Sequence, residues 1–273
     1  MNDAISYQDV LDRLHQALAP RTYLEIGVRH GDALVHALPG TKVVGVDPRP
    51  NILRPLPKGA KVERVTSDEF FTRGLASHHF GTLPVDLAFI DGMHLYENAL
   101  RDFFNVERVS SRNSVVLLHD CLPPSAEVAT REVPRGCWTG DVWKVLLYLR
   151  DNRPDLDICV FDAEPTGLGV IQGLDPDRPA EEFESLARKY RDLDFSSFSD
   201  DLLPSLDVVR GWPAMRCRVP PDPWRQVDDL SAAIVARSSY RPSLATYARR
   251  FKRAVLQTGA GLALAKARAS VRR

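Results

Sequence analysis

Short runs of apolar residues alternate with longer helical stretches over the first 120 residues of the chain. The five runs are 22–28, 42–47, 61–65, 85–91 and 114–120. Helical spacing follows the first run at 32–38 and precedes the fifth at 97–109. Nearly continuous apolar strands are typical of a sheet buried on both faces, and helices between them supply the crossovers that parallel strands need. The sequence therefore predicts an α/β fold with helices on both faces of a parallel sheet.

Two further apolar runs predict a hairpin. DICVFD (157–162) and GLGVIQ, which ends at Gln172, are joined by the turn EPT. Because this connection is too short for a crossover helix, the two strands should pair antiparallel. Added to the five parallel strands, they give a doubly wound, mostly parallel sheet of seven strands. We place this core domain at residues 21–173, after an N-terminal helix at 1–20.

The C-terminal third of the chain has a different composition. It is predicted to form a mixed helix and loop extension over 174–235, with a helix at 181–190, and a basic helical tail over 236–273. The chain has 36 Lys and Arg against 36 Asp and Glu. Residues 231–273 hold ten of the basic residues and no acid, so the preceding body is acidic. An acidic body offers no electrostatic footprint for nucleic acid.

The basic tail carries an apolar stripe at helical spacing, which leaves three interpretations open. The stripe consists of Leu244, Tyr247, Phe251 and Val255, and most of the neighbouring basic residues lie off it. The tail can dock on the acidic body through the stripe, or it can make weak contact with an anionic membrane surface. The third interpretation is self-association into a homo-oligomer.

Several features favour a cytoplasmic location. No apolar run approaches the ~20 residues that a membrane-spanning helix needs. The N-terminus carries acids in an amphipathic pattern, unlike a signal peptide. The four cysteines are widely spaced with no CxxC pair, which fits a reducing compartment.

The first candidate site follows the first strand, where Glu25 precedes Gly27 and Gly31. Two glycines at this spacing let the backbone approach a ligand beyond the carboxyl end of the sheet, although a plain tight turn has the same pattern. Asp47 ends the second strand, 22 residues after Glu25. A carboxylate there can accept hydrogen bonds from both hydroxyls of a ribose, so the pair predicts a cofactor with a nucleoside. Ser67-Asp68 either reaches the adenine or caps the following helix.

The second candidate site combines acids and histidines that follow two apolar strands. Asp91 and Asp120 close the fourth and fifth strands and should meet at one edge of the sheet. Unpaired buried carboxylates are costly, and a hard divalent cation would satisfy both. His94 opens the next helix and could act as a general base near neutral pH. The alternative makes Asp91 and Asp120 loop acids and His94 a capping residue, while His119 either packs or orients Asp120.

These segments carry a resemblance to a known family. LEIGVRHGDAL, VVGVD, FIDGMHLYENALRDF and VVLLHD together resemble the motifs of class I S-adenosylmethionine-dependent methyltransferases. The resemblance covers about residues 20–173 and includes the closing antiparallel hairpin. It is strongest to the branch whose fourth strand ends in D-G-x-H-x-Y-E, which includes sugar and macrolide-sugar O-methyltransferases that use Mg²⁺. This implies transfer of a methyl group to a hydroxyl of a sugar, a glycan or a secondary metabolite.

The resemblance also implies roles for the candidate residues. S-adenosylmethionine would be held by Glu25, Gly27, Gly31, Asp47 and Asp91, with Ser67 or Asp68 near the adenine. Asp91 and Asp120 would bind the metal, and His94 would remove the hydroxyl proton beside Asp91. His119 is a further candidate ligand.

Two positions depart from the family pattern. Arg29 stands where the glycine loop usually has a small residue. His119 precedes Asp120, whereas metal-dependent relatives carry Asp-Asp, Glu-Asp or Asp-Asn there. Because imidazole suits Mn²⁺, Fe²⁺ or Zn²⁺ better than Mg²⁺, the identity of the cation and the need for one stay open.

The acceptor is expected at the loop 121–143, which follows the fifth strand. Trp138, Asp141, Trp143 and Lys144 lie in or beside it, and aromatic rings next to polar groups suit a sugar or phenolic acceptor. Trp143 fits the core of a helix equally well. Two other function classes stay open: a non-catalytic binding or scaffold protein with this fold, and an NAD(P)-dependent oxidoreductase, whose G-x-G-x-x-G pattern is missing.

Overall fold

The structure is a computed structural model that describes residues 5–134, 136–178 and 188–206 in full and residues 208–210 by their backbone. The strands of this part are β1 (Thr22–Ile26), β2 (Lys42–Val46), β3 (Lys61–Glu63), β4 (Val85–Ile90), β5 (Ser110–His119), β6 (Asp157–Asp162), β7 (Leu168–Gln172) and β8 (Val208–Arg210). The helices are α1 (Tyr7–Leu18), α2 (Ser67–Thr72), α3 (Leu75–Phe80), α4 (Tyr96–Arg108) and α5 (Trp143–Asn152), followed by the short helical segments Ser197–Leu202 and Leu203–Ser205.

The strands form one sheet in the order β3-β2-β1-β4-β5-β7-β6-β8. β1 to β5 are parallel, and β7 runs antiparallel to both β5 and β6. The predicted doubly wound sheet of seven strands and its hairpin are therefore confirmed. β8 is an eighth strand, parallel to β6, that the sequence did not predict, because three residues in a Pro- and Asp-rich stretch show no periodicity.

The two faces of the sheet are covered by unequal sets of helices. The alternating side chains Leu24 and Ile26 of β1 face a core that contains α2, α3, α4 and α5. Tyr23 faces a second core, which is covered by α1 and by Leu34. The loop between β2 and β3 adds Ile52 and Leu56 to this second core. One face is therefore covered by four helices and the other by α1 and two loops.

The N-terminal helix is fixed by local signals in the sequence. The hydroxyl of Ser6 accepts a hydrogen bond from the amide of Asp9, and the carboxylate of Asp9 accepts one from the amide of Ser6, which makes a capping box. Val10, Leu11 and Leu14 are fully buried against the sheet. Burying each such side chain contributes about 1.5–3 kcal/mol, so the apolar stripe docks α1 firmly.

The prediction of a helix at 32–38 is wrong. Only the single 3₁₀ turn Leu34–His36 forms there. Gly31 has a φ of 82° before the turn, and Pro39-Gly40 follows it, so the segment is too short for a stable α-helix. Ile52 and Leu56 cover the surface that a longer helix would bury.

Two other predictions lie wholly or mostly beyond the described residues. Of the helix predicted at 181–190 the structure describes residues 188–190, which are helical. The basic tail at 236–273 lies outside the described residues, and its three interpretations stay predictions. None of the helices that the structure describes is long and apolar enough to cross a membrane.

Candidate active site

The candidate residues gather at one edge of the sheet, because parallel β1, β2, β4 and β5 end there. They form two groups. The glycine loop (residues 27–31) follows β1, and Glu25 and Asp47 flank it. The acid–histidine cluster consists of Asp91, His94, His119 and Asp120, which follow or end β4 and β5.

The two groups touch through the backbone at Gly27. Gly27 has a φ of 87°, and a Cβ atom on it would lie 2.0 Å from the carbonyl oxygen of Asp91. The amide of Asp91 donates to the carbonyl of Ile26 at 2.8 Å, which extends the pairing of β1 with β4 beyond the strands. Only glycine fits this contact, so the sequence requirement at Gly27 comes from the approach of two turns.

Asp47 holds the glycine loop in place. Its Oδ2 accepts hydrogen bonds from the amides of Val28 at 3.1 Å and Arg29 at 2.8 Å. Its Oδ1 accepts one from the amide of Arg49 at 2.7 Å. A carboxylate offers about four lone-pair sites, so the three amides leave room for a further donor. Arg29, one of the residues whose amide binds Asp47, adopts a left-handed φ of 47°, which is strained for a residue with a side chain.

The loop after β2 closes over the glycine loop. The amide of Asn51 donates to the carbonyl of Arg29 at 2.8 Å, and the amide of Leu53 donates to that of His30 at 3.1 Å. A Cβ atom on Gly31 would lie 2.9 Å from Leu56. A methyl group of Leu56 can move away, so the demand for glycine at Gly31 comes chiefly from its left-handed φ of 82°.

Glu25 is buried at the end of β1 with an unused oxygen. Its Oε2 accepts a hydrogen bond from the hydroxyl of Tyr23 at 2.9 Å, whereas Oε1 has no partner among the described residues. Burial, reinforced by the carboxylates of Asp91 and Asp47, raises the pKa of Glu25 well above its usual value. A buried acceptor without a donor is costly, and a cationic ligand group would satisfy it.

Ser67 and Asp68 lie after β3, where they were predicted, but neither is the cap of α2. The cap is Thr66, whose hydroxyl accepts from the amide of Glu69. The Ser67 side chain hydrogen-bonds the buried carboxyl of Asp102, and burial raises the pKa of that carboxyl to about 7. Asp68 forms an ion pair with Arg101 at 2.9 Å.

The acid–histidine cluster is a closed arrangement of two carboxylates and two imidazoles. Nδ1 of His119 donates to Oδ1 of Asp91 at 3.0 Å and lies 3.3 Å from Oδ1 of Asp120. Nδ1 of His94 lies 3.0 Å from Oδ2 of Asp120, and its Nε2 lies 3.6 Å from Oδ1 of Asp91. Each histidine thus contacts both acids, and the two acids lie together at the edge where their places at the strand ends predicted them.

Charge neutralisation stabilises this cluster. Burial lowers the pKa of His119, but the carboxylates of Asp91 and Asp120 outweigh burial and raise it to about 10. Burial likewise opposes the charge of His94, and the same two acids raise its pKa above the usual value. The histidines in turn overcome the burial of Asp120 and hold its pKa well below its usual range. His119 is therefore cationic at neutral pH, as a buried counter-ion to both acids.

The hydrogen bond of His94 to a carbonyl identifies its basic nitrogen. Nδ1 of His94 lies 2.9 Å from the carbonyl oxygen of Trp138. A carbonyl only accepts, so Nδ1 carries the hydrogen. In the neutral ring the lone pair is then on Nε2, the nitrogen that faces Asp91. This nitrogen can accept a proton or bind a metal ion, but it cannot do both at once.

Three donor groups converge closely enough to hold a cation. Ligand atoms of Asp91, His94 and Asp120 all lie within 4.8 Å of one another. Two carboxylates and one imidazole suit a divalent transition metal better than Mg²⁺. His119 stands beside this set, where its Nδ1 hydrogen is directed at Asp91.

Two residues that contact the cluster, Thr166 and Tyr7, were missed at the sequence level. Thr166 donates from Oγ1 to Oδ1 of Asp120 at 2.5 Å. The ring centroid of Tyr7 lies 4.4 Å from that of His119, and the amide of Tyr7 donates to the carbonyl of Glu164 at 3.0 Å. The hairpin turn that carries Thr166 and Glu164 lies at this edge because β7 runs antiparallel to β5, a consequence that the predicted topology already contained.

Residues 24–121 match the family model described as a methyltransferase domain. This part of the chain is therefore similar in sequence to methyltransferase domains. No curated protein matches the sequence.

Solved structures that match this chain include cofactor-bound Rv0187 from MTB, at 17% identity and a TM-score of 0.44 over 62% of this chain and 81% of that one. An O-methyltransferase from Bacillus cereus in complex with SAH is 13% identical, with a TM-score of 0.43 over 62% and 82% of the two chains. The O-methyltransferase TomG from Streptomyces achromogenes, involved in tomaymycin synthesis and solved with SAM, is 15% identical, with a TM-score of 0.44 over 62% and 79%. Similarity at this level says nothing about the acceptor of this chain.

Proposed function

We propose that this chain is an S-adenosylmethionine-dependent O-methyltransferase. The observation that carries the proposal is the contact between Gly27 and Asp91, which joins a nucleoside-binding type of loop to an acid–histidine cluster at one edge of the sheet. The segment that matches the methyltransferase-domain model, residues 24–121, includes Gly27, Asp91, His94 and Asp120. A dinucleotide oxidoreductase would need the third glycine of G-x-G-x-x-G, which the chain lacks.

The residues around the glycine loop fit the cofactor chemically. The partnerless Oε1 of Glu25 suits the ammonium of the methionine part, since a buried carboxylate gains most from a cationic partner. Asp47 keeps acceptor capacity beyond its three amide bonds, which suits a ribose hydroxyl. Ser67 and Asp68, at the start of α2 after β3, would lie on the adenine side.

The acid–histidine cluster supplies the base for a hydroxyl acceptor. S-adenosylmethionine supplies a methyl group on a sulfonium, a donor that needs no further activation. Nε2 of His94 takes the proton of the acceptor hydroxyl, and Asp91 and Asp120 stabilise the imidazolium that forms. His119 keeps one positive charge beside the two carboxylates throughout, because it stays protonated at neutral pH.

The acceptor is a hydroxyl of a sugar, a glycan or a secondary metabolite. It would enter beside the part of the predicted loop at residues 128–134 and 136–141, called the 128–141 loop below, where the Trp138 ring stacks on His94 with centroids 5.1 Å apart. Trp143 does not line this entrance, since it is buried in the core. Lys144 is also buried, and it bonds Asp141 and the carbonyl of Arg191.

A metal-assisted reaction is the second candidate, because the donor atoms of Asp91, His94 and Asp120 converge. In that reaction Nε2 of His94 would be a ligand, and the metal would lower the pKa of the acceptor hydroxyl. The base would then have to be another group. The two candidates therefore assign opposite roles to the same nitrogen.

One assay tests both candidates. The full-length protein is incubated with methyl-labelled S-adenosylmethionine and a panel of sugar, glycan and phenolic acceptors, with and without excess chelator. Label transfer that survives chelation supports His94 as the base. Transfer lost on chelation and restored by Mn²⁺ or Mg²⁺ supports the metal, and the absence of transfer to every acceptor counts against the O-methyltransferase.

A further inference from the structure

The 128–141 loop packs directly against the segment that carries His94. A Cβ atom on Gly140 would lie 1.6 Å from the carbonyl oxygen of His94, so the two backbones are in direct contact. The amide of Asp141 donates to that same carbonyl at 3.2 Å. Gly140 has a φ of 56°, which glycine adopts without strain.

A buried carboxylate anchors the end of this loop. Asp141 is 2% exposed, and its Oδ1 accepts from the amide of Tyr96 at 2.7 Å. Its Oδ2 accepts from Arg131 at 2.6 Å, and the other arm of Arg131 bonds Glu97 at 2.6 Å. The loop and the start of α4 are therefore joined by charge-assisted hydrogen bonds, the stronger kind.

Trp138 is the point at which the loop meets the imidazole. Its ring is stacked on that of His94 at an interplanar angle of 21°. Its carbonyl accepts from Nδ1 of His94, and its own indole nitrogen donates to the carbonyl of Thr130 at 2.7 Å. The side chain thus fixes one of the two acceptors that keep the hydrogen of His94 on Nδ1, the other being Oδ2 of Asp120 at 3.0 Å.

We propose that Trp138 is a positioning residue of the proposed base, since its stacked ring and its carbonyl, together with Oδ2 of Asp120, hold His94 in the Nδ1–H tautomer with Nε2 directed at Asp91. The inference rests on the proposed function for its consequence in turnover, but the tautomer is a property of the protein alone. Without the stack the ring can rotate and donate from Nε2 to Asp91, 3.6 Å away. That arrangement would remove the lone pair that accepts the hydroxyl proton.

The first test is a ¹⁵N spectrum of the histidine-labelled full-length protein at alkaline pH, with His94 assigned by its loss in His94→Gln. We expect Nδ1 protonated and Nε2 unprotonated in the wild type and in Trp138→Phe, which keeps a stacking ring. Trp138→Ala should populate the other tautomer. Val133→Ala, at a loop position that is 71% exposed, is the matched control and should match the wild type.

The second test is turnover with the best acceptor of the panel. Trp138→Ala should lower kcat by about tenfold to a hundredfold, as misplacement of a catalytic group does, with an unchanged Kd for S-adenosylhomocysteine. Trp138→Phe should restore kcat to within about threefold. An Nε2–H tautomer in the wild type, or a folded Trp138→Ala variant with wild-type tautomer and kcat, overturns the inference. A wild type that transfers no methyl group but has the Nδ1–H tautomer overturns the proposed function alone.

Discussion

The glycine loop and the acid–histidine cluster touch at Gly27 and Asp91, yet different forces hold them. Backbone groups shape the glycine loop: three amides converge on Asp47, and Gly27 permits a contact that no side chain allows. Side-chain charges hold the cluster, where two histidines neutralise two acids. The glycine loop is therefore fixed by its backbone, whereas the stability of the cluster depends on pH. A variant in the glycine loop should change cofactor binding, and a variant in the cluster should change turnover or the pH dependence of stability.

The largest expected effect is on turnover. His94→Gln keeps the size and one hydrogen-bonding group but has no basic nitrogen, so kcat should fall by about 10²–10⁴-fold, the usual range for a general base. The Kd for S-adenosylhomocysteine, measured by calorimetry, should stay within about twofold because the glycine loop is untouched. A variant that loses cofactor affinity as much as turnover would show that the cluster and the glycine loop do not act separately.

The second effect is the pH dependence of stability on the cluster side. His119 has a folded pKa of about 10, above the 6.5 of the unfolded chain, so its stabilisation is complete below pH 6.5 and is lost as the pH rises towards 10. The full contribution is on the order of 3–5 kcal/mol. Urea unfolding of the wild type and His119→Gln should show a difference that shrinks from pH 6 to pH 9.5. A constant difference would contradict the buried imidazolium.

Near the glycine loop, the pH dependence of stability should have the opposite sign. His15 of α1 is buried against Tyr23, which bonds Glu25, and burial lowers its pKa to about 3. Its contribution is complete above pH 6.5 and is lost as the pH falls towards 3, on the order of 3–5 kcal/mol at most. His15→Phe should therefore lose less stability than the wild type between pH 7 and pH 4. Parallel unfolding curves for the two proteins would argue against a neutral His15.

A smaller effect tests the backbone contact. Gly27→Ala must keep a left-handed φ and also move the carbonyl of Asp91, so it should cost more than about 2 kcal/mol of unfolding free energy. Gly59 has the same φ of 87° with nothing within 4 Å of a Cβ atom, which makes Gly59→Ala the control for φ alone. Equal losses in the two variants would mean that the contact with Asp91 is unimportant.

The smallest effect concerns Asp47. Asp47→Ala removes the acceptor of the Val28, Arg29 and Arg49 amides and the proposed partner of the ribose. We expect weaker binding of S-adenosylmethionine by about 1.5–3 kcal/mol, measured by calorimetry, and also a lower melting temperature, because the three amides lose their acceptor. Unchanged affinity would remove Asp47 from the cofactor site.

The sequence predicts where the site residues lie in the fold better than it predicts which side chains they contact. Apolar runs locate the strands, and the strand ends place Glu25, Asp47, Asp91 and Asp120 at one edge because parallel strands end together. The missing helix at 32–38 was not foreseen, since helical periodicity persists even where glycine and proline shorten the segment. Partners such as Thr166 and Tyr7 come from distant parts of the chain, and only tertiary packing brings them to the cluster.

The contacts of the 128–141 loop were likewise beyond prediction. Trp138 was predicted on the acceptor side, but nothing in the local sequence indicates that one face of its ring is covered by His94. The anchor depends on Asp141 meeting the amide of Tyr96, 45 residues away. Loop segments lack the periodicity that reveals strands and helices, so such long-range contacts leave no pattern in the sequence.

The central claim is that the edge of the sheet binds S-adenosylmethionine at the glycine loop. Calorimetric titration of the full-length protein with S-adenosylmethionine, and separately with NAD, tests it most directly. The account predicts saturable one-to-one binding of S-adenosylmethionine that Asp47→Ala weakens, and no binding of NAD. Binding of NAD, or no heat with S-adenosylmethionine from the folded wild type, would contradict it.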